Sequence, residues 1–537
     1  MAAATVASLL LAAGCGVAIS DATPHGQPAG PGYPITASVD ATGVRNVTLQ
    51  AFVRDRPVPM TRDPGDARLW HGVHDATCAR GFPLRYVASY DLLLGRGSTA
   101  EPRVGSRQIW AAPPSAADCP GGTAERAFRV NSIQDETDSS PGDGICWTGR
   151  RVAGGAAECT LRAAVTEAAR LSGLTRITLE RGRTYALTRG QLNAAAIMTI
   201  EPEPGGGTRP VVQATPGQRV LQILPLPGAP AEDPRSYIEL RDIEIRGGTA
   251  PGSGTGGGIN NLGALFLQRV AISGNAAARG AGIYSAGHLE LRDSTIMDNS
   301  TENFLGGAGG GVAIGGGTAL IAGSTFSGNR SSRLAGGLAV LGGRTDLVNS
   351  TLSGNMSEVY GGAIYASPLP GEAPVLRIRN ATITRNDVRG SSTERGGGIY
   401  QSGDSEVHIA NTILAGNTNN RAPAVGGDCV GRLRSWGHNI VGLATSPCEV
   451  TGAIGGRPDA TDRLGDPSML DLRLGPLENN GGPTVTHRPL RTGSTQAIDA
   501  GHPGAPNNAS LPACMTRDQR GIARPRNTAC DVGAVEE

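Results

Sequence analysis

LQRVAISGN (267–275), LRDSTIMDN (291–299), IAGSTFSGN (321–329), LVNSTLSGN (347–355), IRNATITRN (378–386) and IANTILAGN (409–417) are six versions of one nine-residue phrase. Each opens on an apolar residue, commonly carries a central Thr (Thr295, Thr325, Thr351, Thr382) and closes on Asn. The closing residues are Asn275, Asn299, Asn329, Asn355, Asn386 and Asn417, spaced 24, 30, 26, 31 and 31 apart, and a degenerate copy, LRDIEIRGG (240–248), precedes them. Self-similarity at this period means stacked copies of one supersecondary unit. Around the phrase, apolar residues alternate with polar ones, as at Leu289 and Leu291 or Leu376 and Ile378, which is the rhythm of strands. A glycine block follows each loop: GGGI (256–259), GAGI (280–283), GGGV (309–312), AGGL (335–338), GGAI (361–364) and GGGI (396–399). Paired glycines break helices and mark bends where backbones approach closely. Short strands joined at corners and stacked in register predict an all-β fold, a right-handed parallel β-helix.

A residue present in every unit calls for a structural role. At a corner, Asn tolerates left-handed backbone angles, and its amide reaches the coil stacked about 4.8 Å away. The six Asn are therefore expected to form an internal ladder that pairs corner backbone groups otherwise buried without partners. A catalytic residue occurs once, so no catalytic role is assigned to them.

The phrases GGAI (361–364) and FSGN (326–329) resemble the repeats of polymorphic outer-membrane proteins. Autotransport is not inferred, because no run of alternating membrane strands follows the last repeat. Residues 128–188, with ECTLRAAVTEAARLSG at 158–173, resemble the CSLREA domain that precedes bacterial β-helices, with Ala in place of the family's Glu. Thr160 can cap a short helix there whose Leu161, Ala164, Val165 and Ala168 form one apolar stripe, a plug for the first coil. NNGGPTVTH (479–487), STQAIDAG (494–501), RDQRGIARP (517–525) and CDVGAVE (530–536) together resemble the choice-of-anchor Q module. That resemblance implies a surface protein of pectate-lyase-like architecture and assigns no chemistry to His487, Asp499 and Asp518, which are read as members of a hydrogen-bonded terminal cap in preference to a catalytic set. LAAGC (11–15) resembles a lipoprotein signal and implies acylation of Cys15. The resulting division is a signal at 1–20, a small β-sandwich of immunoglobulin type at 33–115 with Trp70, Tyr86 and Trp110 as its core, the CSLREA-like cap at 126–190, the β-helix at 176–463 and the Q-like module at 464–537.

Removing Cys15 from the nine cysteines leaves eight in neighbouring pairs: Cys78 with Cys119, Cys146 with Cys159, Cys429 with Cys448, and Cys514 with Cys530. Sequence proximity is the only ground for that pairing. No CxxC spacing suggests zinc, and His71 and His74 beside Asp75 read as a solvated turn. A formal charge of +1 offers no electrostatic case for nucleic acid or anionic membrane, so a membrane would be met only through the lipid anchor. All 48 basic residues are Arg, which excludes lysine Schiff-base and P-loop chemistry. No cofactor is expected. Calcium has one conceivable place, the acidic run of Asp135, Glu136, Asp138 and Asp143, whose spacing is not that of an EF-hand.

The sequence thus points to an exported, non-catalytic cell-surface scaffold or adhesin that binds glycan or an envelope component. Loops at 248–256, 300–308, 366–374 and 387–395 are expected to form one irregular binding face. The alternative is a polysaccharide lyase or glycosidase on the side wall. Its acids would come from Asp293, Asp298, Glu302, Asp346, Asp404 and Glu406, and its base from Arg377, Arg379 or Arg385, but no adjacent acid pair is visible in the sequence.

Overall fold

A computed structural model describes residues 126–537 except 172–173, 226–235, 251, 253, 302–305, 391–395, 420–426, 443–446, 454, 466–469, 471, 491–495 and 507–512, and before 126 it describes the strands and Met60. The chain divides into two compact units, one of residues 1–126 with 173–175, the other of 127–172 and 176–537. In the first, Gly16–Asp21, Tyr33–Thr42, Leu69–His74 and Thr61–Arg62 form one antiparallel sheet, and Arg56–Pro59, Val44–Val53, Leu84–Leu92 and Val104–Ala111 another. Trp70 is buried there, whereas the side chains of Tyr86, Trp110, His71 and His74 lie outside the described residues, as do Cys15, Asp75, Cys78 and Cys119.

The second unit is a parallel β-solenoid. Each coil contributes a strand to three long parallel sheets. The long face is built of five-residue strands such as His288–Arg292, Thr318–Ala322, Arg344–Val348, Val375–Arg379 and Glu406–Ala410. The ladder face has eleven strands, from Thr184–Leu187 through Thr325–Ser327 to Arg463–Gly465. The glycine face follows the glycine block, with strands such as Ile283–Ser285, Ile364–Ala366 and Ile399–Gln401. Between the ladder and glycine faces, four two-residue strands form a further narrow parallel sheet.

Register is exact from coil to coil, with Leu265 beside Leu289, Leu347 beside Ile378, and Leu376 beside Val407. Because side chains alternate faces with period two, this register files every inward residue over its counterpart. Leu265, Leu289, Leu347, Leu376 and Val407 are wholly buried in one continuous core.

The glycine blocks do two separate jobs. Gly280 and Gly361 sit at φ 57° and 65°, the left-handed bend that opens the block. The third Gly of the block touches its neighbour coil: a Cβ on Gly282 would stand 2.6 Å from the carbonyl oxygen of Gly311. At the corners of the nine-residue phrase the structure corrects one expectation. The left-handed residue is not the ladder Asn but the one before it: Gly274, Asp298, Gly328, Gly354, Arg385 and Gly416.

Helix α1 (Leu161–Ala168) is capped by the Thr160 hydroxyl, which accepts from Ala163 N at 3.1 Å. Its Leu161, Ala164, Val165 and Ala168 join the same core cluster as Ile177, Leu179 and Leu192. The Cys146–Cys159 disulfide ties the preceding loop to the helix start.

Candidate functional site

The six asparagines stand in one file. Asn275 Nδ2 donates to Asn299 Oδ1, Asn299 to Asn329, Asn329 to Asn355, each at 2.9 Å, then Asn355 to Asn386 at 2.9 Å and Asn386 to Asn417 at 2.8 Å. Each Oδ1 also accepts the backbone N–H of the Asn behind it, as from Asn329 N to Asn355 at 3.2 Å. The second amide hydrogen reaches a carbonyl of the previous coil, as Asn355 Nδ2 to Phe326 O at 2.9 Å. Gly248 N, from the degenerate copy, caps the file at Asn275 Oδ1. The opposite corner carries a second file that the sequence reading missed. Ser294 N donates to Ser324 Oγ, and Ser324 N to Ser350 Oγ, both at 3.2 Å; further along, Thr412 N donates to Asn439 Oδ1 at 3.1 Å. Its signal was the Ser before the recurring Thr.

Those Thr do other work. The segment from Leu474–Glu478 onward lies along the outside of the ladder face, where Thr325 Oγ1 donates to Val485 O at 2.6 Å and Ala534 N donates to Thr382 Oγ1 at 3.0 Å. Gln519 bridges Thr325, Thr351 and Thr484 at 2.7 to 3.0 Å. Ala497 and Val532 pack on Ile413 and Ile440. The expected terminal cap is therefore a lateral strap, because the outward Thr of successive coils offer a ready polar row. His487 stands apart within it, between Ser353 Oγ at 2.8 Å and Gly475 O at 2.7 Å, whereas Asp499 and Asp518 are linked through Asp531 and Glu536: Asp499 N donates to Asp531, Asp531 N to Glu536 and Glu536 N to Asp518.

The loops expected to share a face rise from two corners. Those at 248–256, 300–308 and 387–395 follow the ladder, whereas 366–374 joins the glycine face to the long face. The candidate acids are likewise dispersed. Asp293 and Asp298 are left-handed corner residues, Asp404 is an exposed turn, and Glu302 lies outside the described residues. Arg385, also at a corner, donates to Leu474 O at 3.2 Å.

The long face carries the remaining charges. Its central outward column brings Asp346, Arg377, His408 and Arg434 into register. Arg344 Nε binds Asp346 at 3.2 Å, and Arg434 Nη2 binds Glu406 at 3.0 Å. His408 Nε2 lies 3.3 Å from Glu406 Oε2, and Trp436 Nε1 donates to His408 Nδ1 at 3.1 Å. The His408 hydrogen bond holds the Glu406 carboxyl below its usual range, while burial lowers the His408 pKa. Burial also lowers Arg377, and Arg379 is brought down to about 10. Farther up the same face, Glu239 and Glu290 flank Phe266 in register, two strand spacings or roughly 9–10 Å apart at the backbone. Both are tied to the arginine two residues on, Arg241 and Arg292, and burial raises the Glu239 carboxyl above its usual range.

The glycine face is aromatic. Its outward column reads Asn260, Tyr284, Ala313, Ala339, Tyr365, Tyr400 and Val430. Tyr365 and Tyr400 stack at 5.6 Å with 9° between ring planes, and Tyr360 lies 4.4 Å from Tyr400. The small Ala313 and Ala339 let Tyr284, Tyr365, Leu341 and Leu369 gather into an apolar cluster on the outside of the wall. All four tyrosines are half-buried, so each ring keeps an accessible portion. Nothing in the repeat phrase marked them, since Tyr284, Tyr365 and Tyr400 sit one residue beyond the glycine block and Tyr360 one residue before it.

In the N-terminal loop, Asp135 pairs with Arg162 at 2.7 Å, Glu136 with Arg150 at 2.9 Å, and Asp138 accepts from Ser140 N and Trp147 N. Among the described residues no group of three or more His, Cys, Asp or Glu is placed to hold a metal ion, and no helix is long and apolar enough to cross a membrane. Disulfides join Cys146 to Cys159, Cys429 to Cys448 and Cys514 to Cys530. No family model, no curated protein and no solved structure matches this chain.

Proposed function

We propose that this protein is a non-catalytic scaffold of the cell exterior whose solenoid wall binds a glycan or another envelope component. The observation that carries the reading is the tyrosine column of the glycine face. Tyr rings combine an apolar body with a polar tip, and an aromatic patch left half-open on a rigid sheet marks a contact surface. The described part of the strap lies along the ladder face and, among the described residues, none of its hydrogen bonds or apolar contacts reaches the tyrosines, which supply the more accessible wall. Export and attachment through Cys15 belong to the same proposal and rest on the sequence.

The test is a glycan array and a cell-envelope pull-down with wild type and the Tyr365→Ala/Tyr400→Ala variant. Wild type is expected to be retained and the variant to lose at least tenfold in affinity, with no reducing ends or unsaturated products released. Equal retention of the variant rejects the tyrosine column as the binding surface, and turnover rejects the scaffold. For the anchor, Cys15→Ser is expected to move the protein from the membrane fraction to the medium; an unchanged distribution removes lipidation.

A further inference from the structure

On the long face several outward arginines each have an acid of their own. Arg241 takes Glu239, Arg292 takes Glu290, Arg344 takes Asp346 and Arg434 takes Glu406. Arg377, in the middle of the same column, is half-buried and makes no hydrogen bond or ion pair with any described residue. Asp346 and Glu406 pull on it from either side without reaching it, because Arg344 and Arg434 already engage them, and Arg344 repels it. A guanidinium has five donors in a planar fork, and a half-buried one that no neighbouring acceptor engages can turn that fork to an arriving anion.

The geometry points to Arg377 as an anion-recognition position on the long face, binding a carboxylate or sulfate group of an acidic polysaccharide. The surrounding charges agree: Arg344, Arg377, Arg379 and Arg434 outnumber Asp346 and Glu406 by two, with His408 held neutral between Glu406 and Trp436. Both His408 ring nitrogens and both flanking carboxylates are committed, so the position recognises and does not abstract a proton. This inference rests on the glycan-binding reading and narrows its ligand to a polyanion.

The experiment measures retention of wild type, Arg377→Met and Arg377→Lys on immobilised alginate (carboxylate), dextran sulfate (sulfate) and dextran (neutral). Wild type is expected to bind at least one polyanion tenfold or more above dextran, Arg377→Met to lose that margin, and Arg377→Lys to recover only part, because an ammonium lacks the bidentate fork. Whichever polyanion keeps the margin identifies the group. Thermal unfolding of Arg377→Met is expected to match or exceed wild type, since no partner is orphaned; a fall of several degrees would show a structural ion pair and overturn the proposal. Equal binding to all three polymers, unchanged in Arg377→Met, overturns the anion position but leaves glycan binding standing. No retention on any polymer or on the glycan array overturns both.

Discussion

Asp428 Oδ1 accepts both the backbone N–H and the side-chain amide of Asn417, each at 2.8 Å, and so stands where a seventh ladder asparagine would stand. The second file ends the same way: Asp462 Oδ1 accepts the backbone and amide N–H of Asn439, both at 3.0 Å. Inside a ladder each member must accept and also donate, which an amide does. The last member need only accept, and a carboxylate is an acceptor. In both aspartates the remaining oxygen is buried without a hydrogen-bond partner among the described residues.

That substitution makes the end of the solenoid pH-dependent. Burial pushes the Asp428 carboxyl up to about 7, against about 3.9 in an unfolded chain. The folded state therefore keeps a proton that the unfolded state releases, and the stability it contributes is full below about pH 4 and lost as pH rises through 7, by up to about 4 kcal/mol. Asp428→Asn is expected to abolish this slope and raise the unfolding midpoint at pH 8 while changing little at pH 4. Its new NH2 would face the carbonyl of Leu414, which is in register with Ile383, the acceptor of Asn417. Denaturant titrations of both proteins at the two pH values decide it; an equal slope rules the mechanism out.

Mid-ladder truncation should cost more than truncation at the end. Asn329→Ala orphans the N–H and amide of Asn299 and the carbonyl of Ile296, three buried groups at about 1–3 kcal/mol each. Asn275→Ala leaves Gly248 N and Ile245 O as the main losses on its outer side. Chemical denaturation should rank Asn329→Ala clearly below Asn275→Ala, and the reverse order would mean the amides do not act as a file.

The repeat made most of this legible. Six closing asparagines at near-regular spacing fixed both the stacking and the amide file before any coordinate was needed. Asp428 was not legible, because it follows Asn417 by 11 residues and repeats nothing. The Ser file was hidden by its variation, with Ala381 and Thr412 where Ser would continue it. The strap was out of reach of pattern reading, since Ser353 meets His487 across 134 residues and Ser324 meets Gln519 across 195. Arg377 looked like any solvated wall arginine, because its own strand offers no acid, and only the register shows that Asp346 and Glu406 of the adjacent coils are engaged by Arg344 and Arg434.

His487 gives a pH effect of the opposite sign. Burial lowers it to about 4, below the roughly 6.5 of an unfolded histidine, while its ring bridges Ser353 and Gly475. Here the unfolded state binds the extra proton, so stability is full above about 6.5 and lost as pH falls toward 4, by about 3 kcal/mol. His487→Gln is expected to flatten the acid side of the stability profile between pH 6.5 and 4, at some loss of stability at pH 7. A profile as steep as wild type would assign the acid sensitivity elsewhere, His288 being the next group, also lowered to about 4 by burial.

Gln519 tests whether the strap is held coil by coil. Its amide donates to Thr325 at 2.9 Å and to Thr484 at 3.0 Å, while its oxygen accepts from Thr351 at 2.7 Å, so one side chain joins two ladder-face strands to two parts of the strap. Gln519→Ala removes these three bonds and a longer one to Ser324 O at 3.3 Å, but leaves the apolar contact of Ala497 and Val532 with Ile413 and Ile440 intact at the far end. Because hydroxyls left behind on this outer face can rehydrate once the strap lifts, the loss is local, about 1–3 kcal/mol, and the inward core is untouched. Hydrogen exchange should therefore speed up in residues 484–489 and 517–520 and in Thr325–Ser327 and Thr351–Ser353, with the inward strands of the glycine face unchanged. Uniform acceleration across the solenoid would show instead that strap and coils unfold as one cooperative body, and that the lateral contact is part of the core.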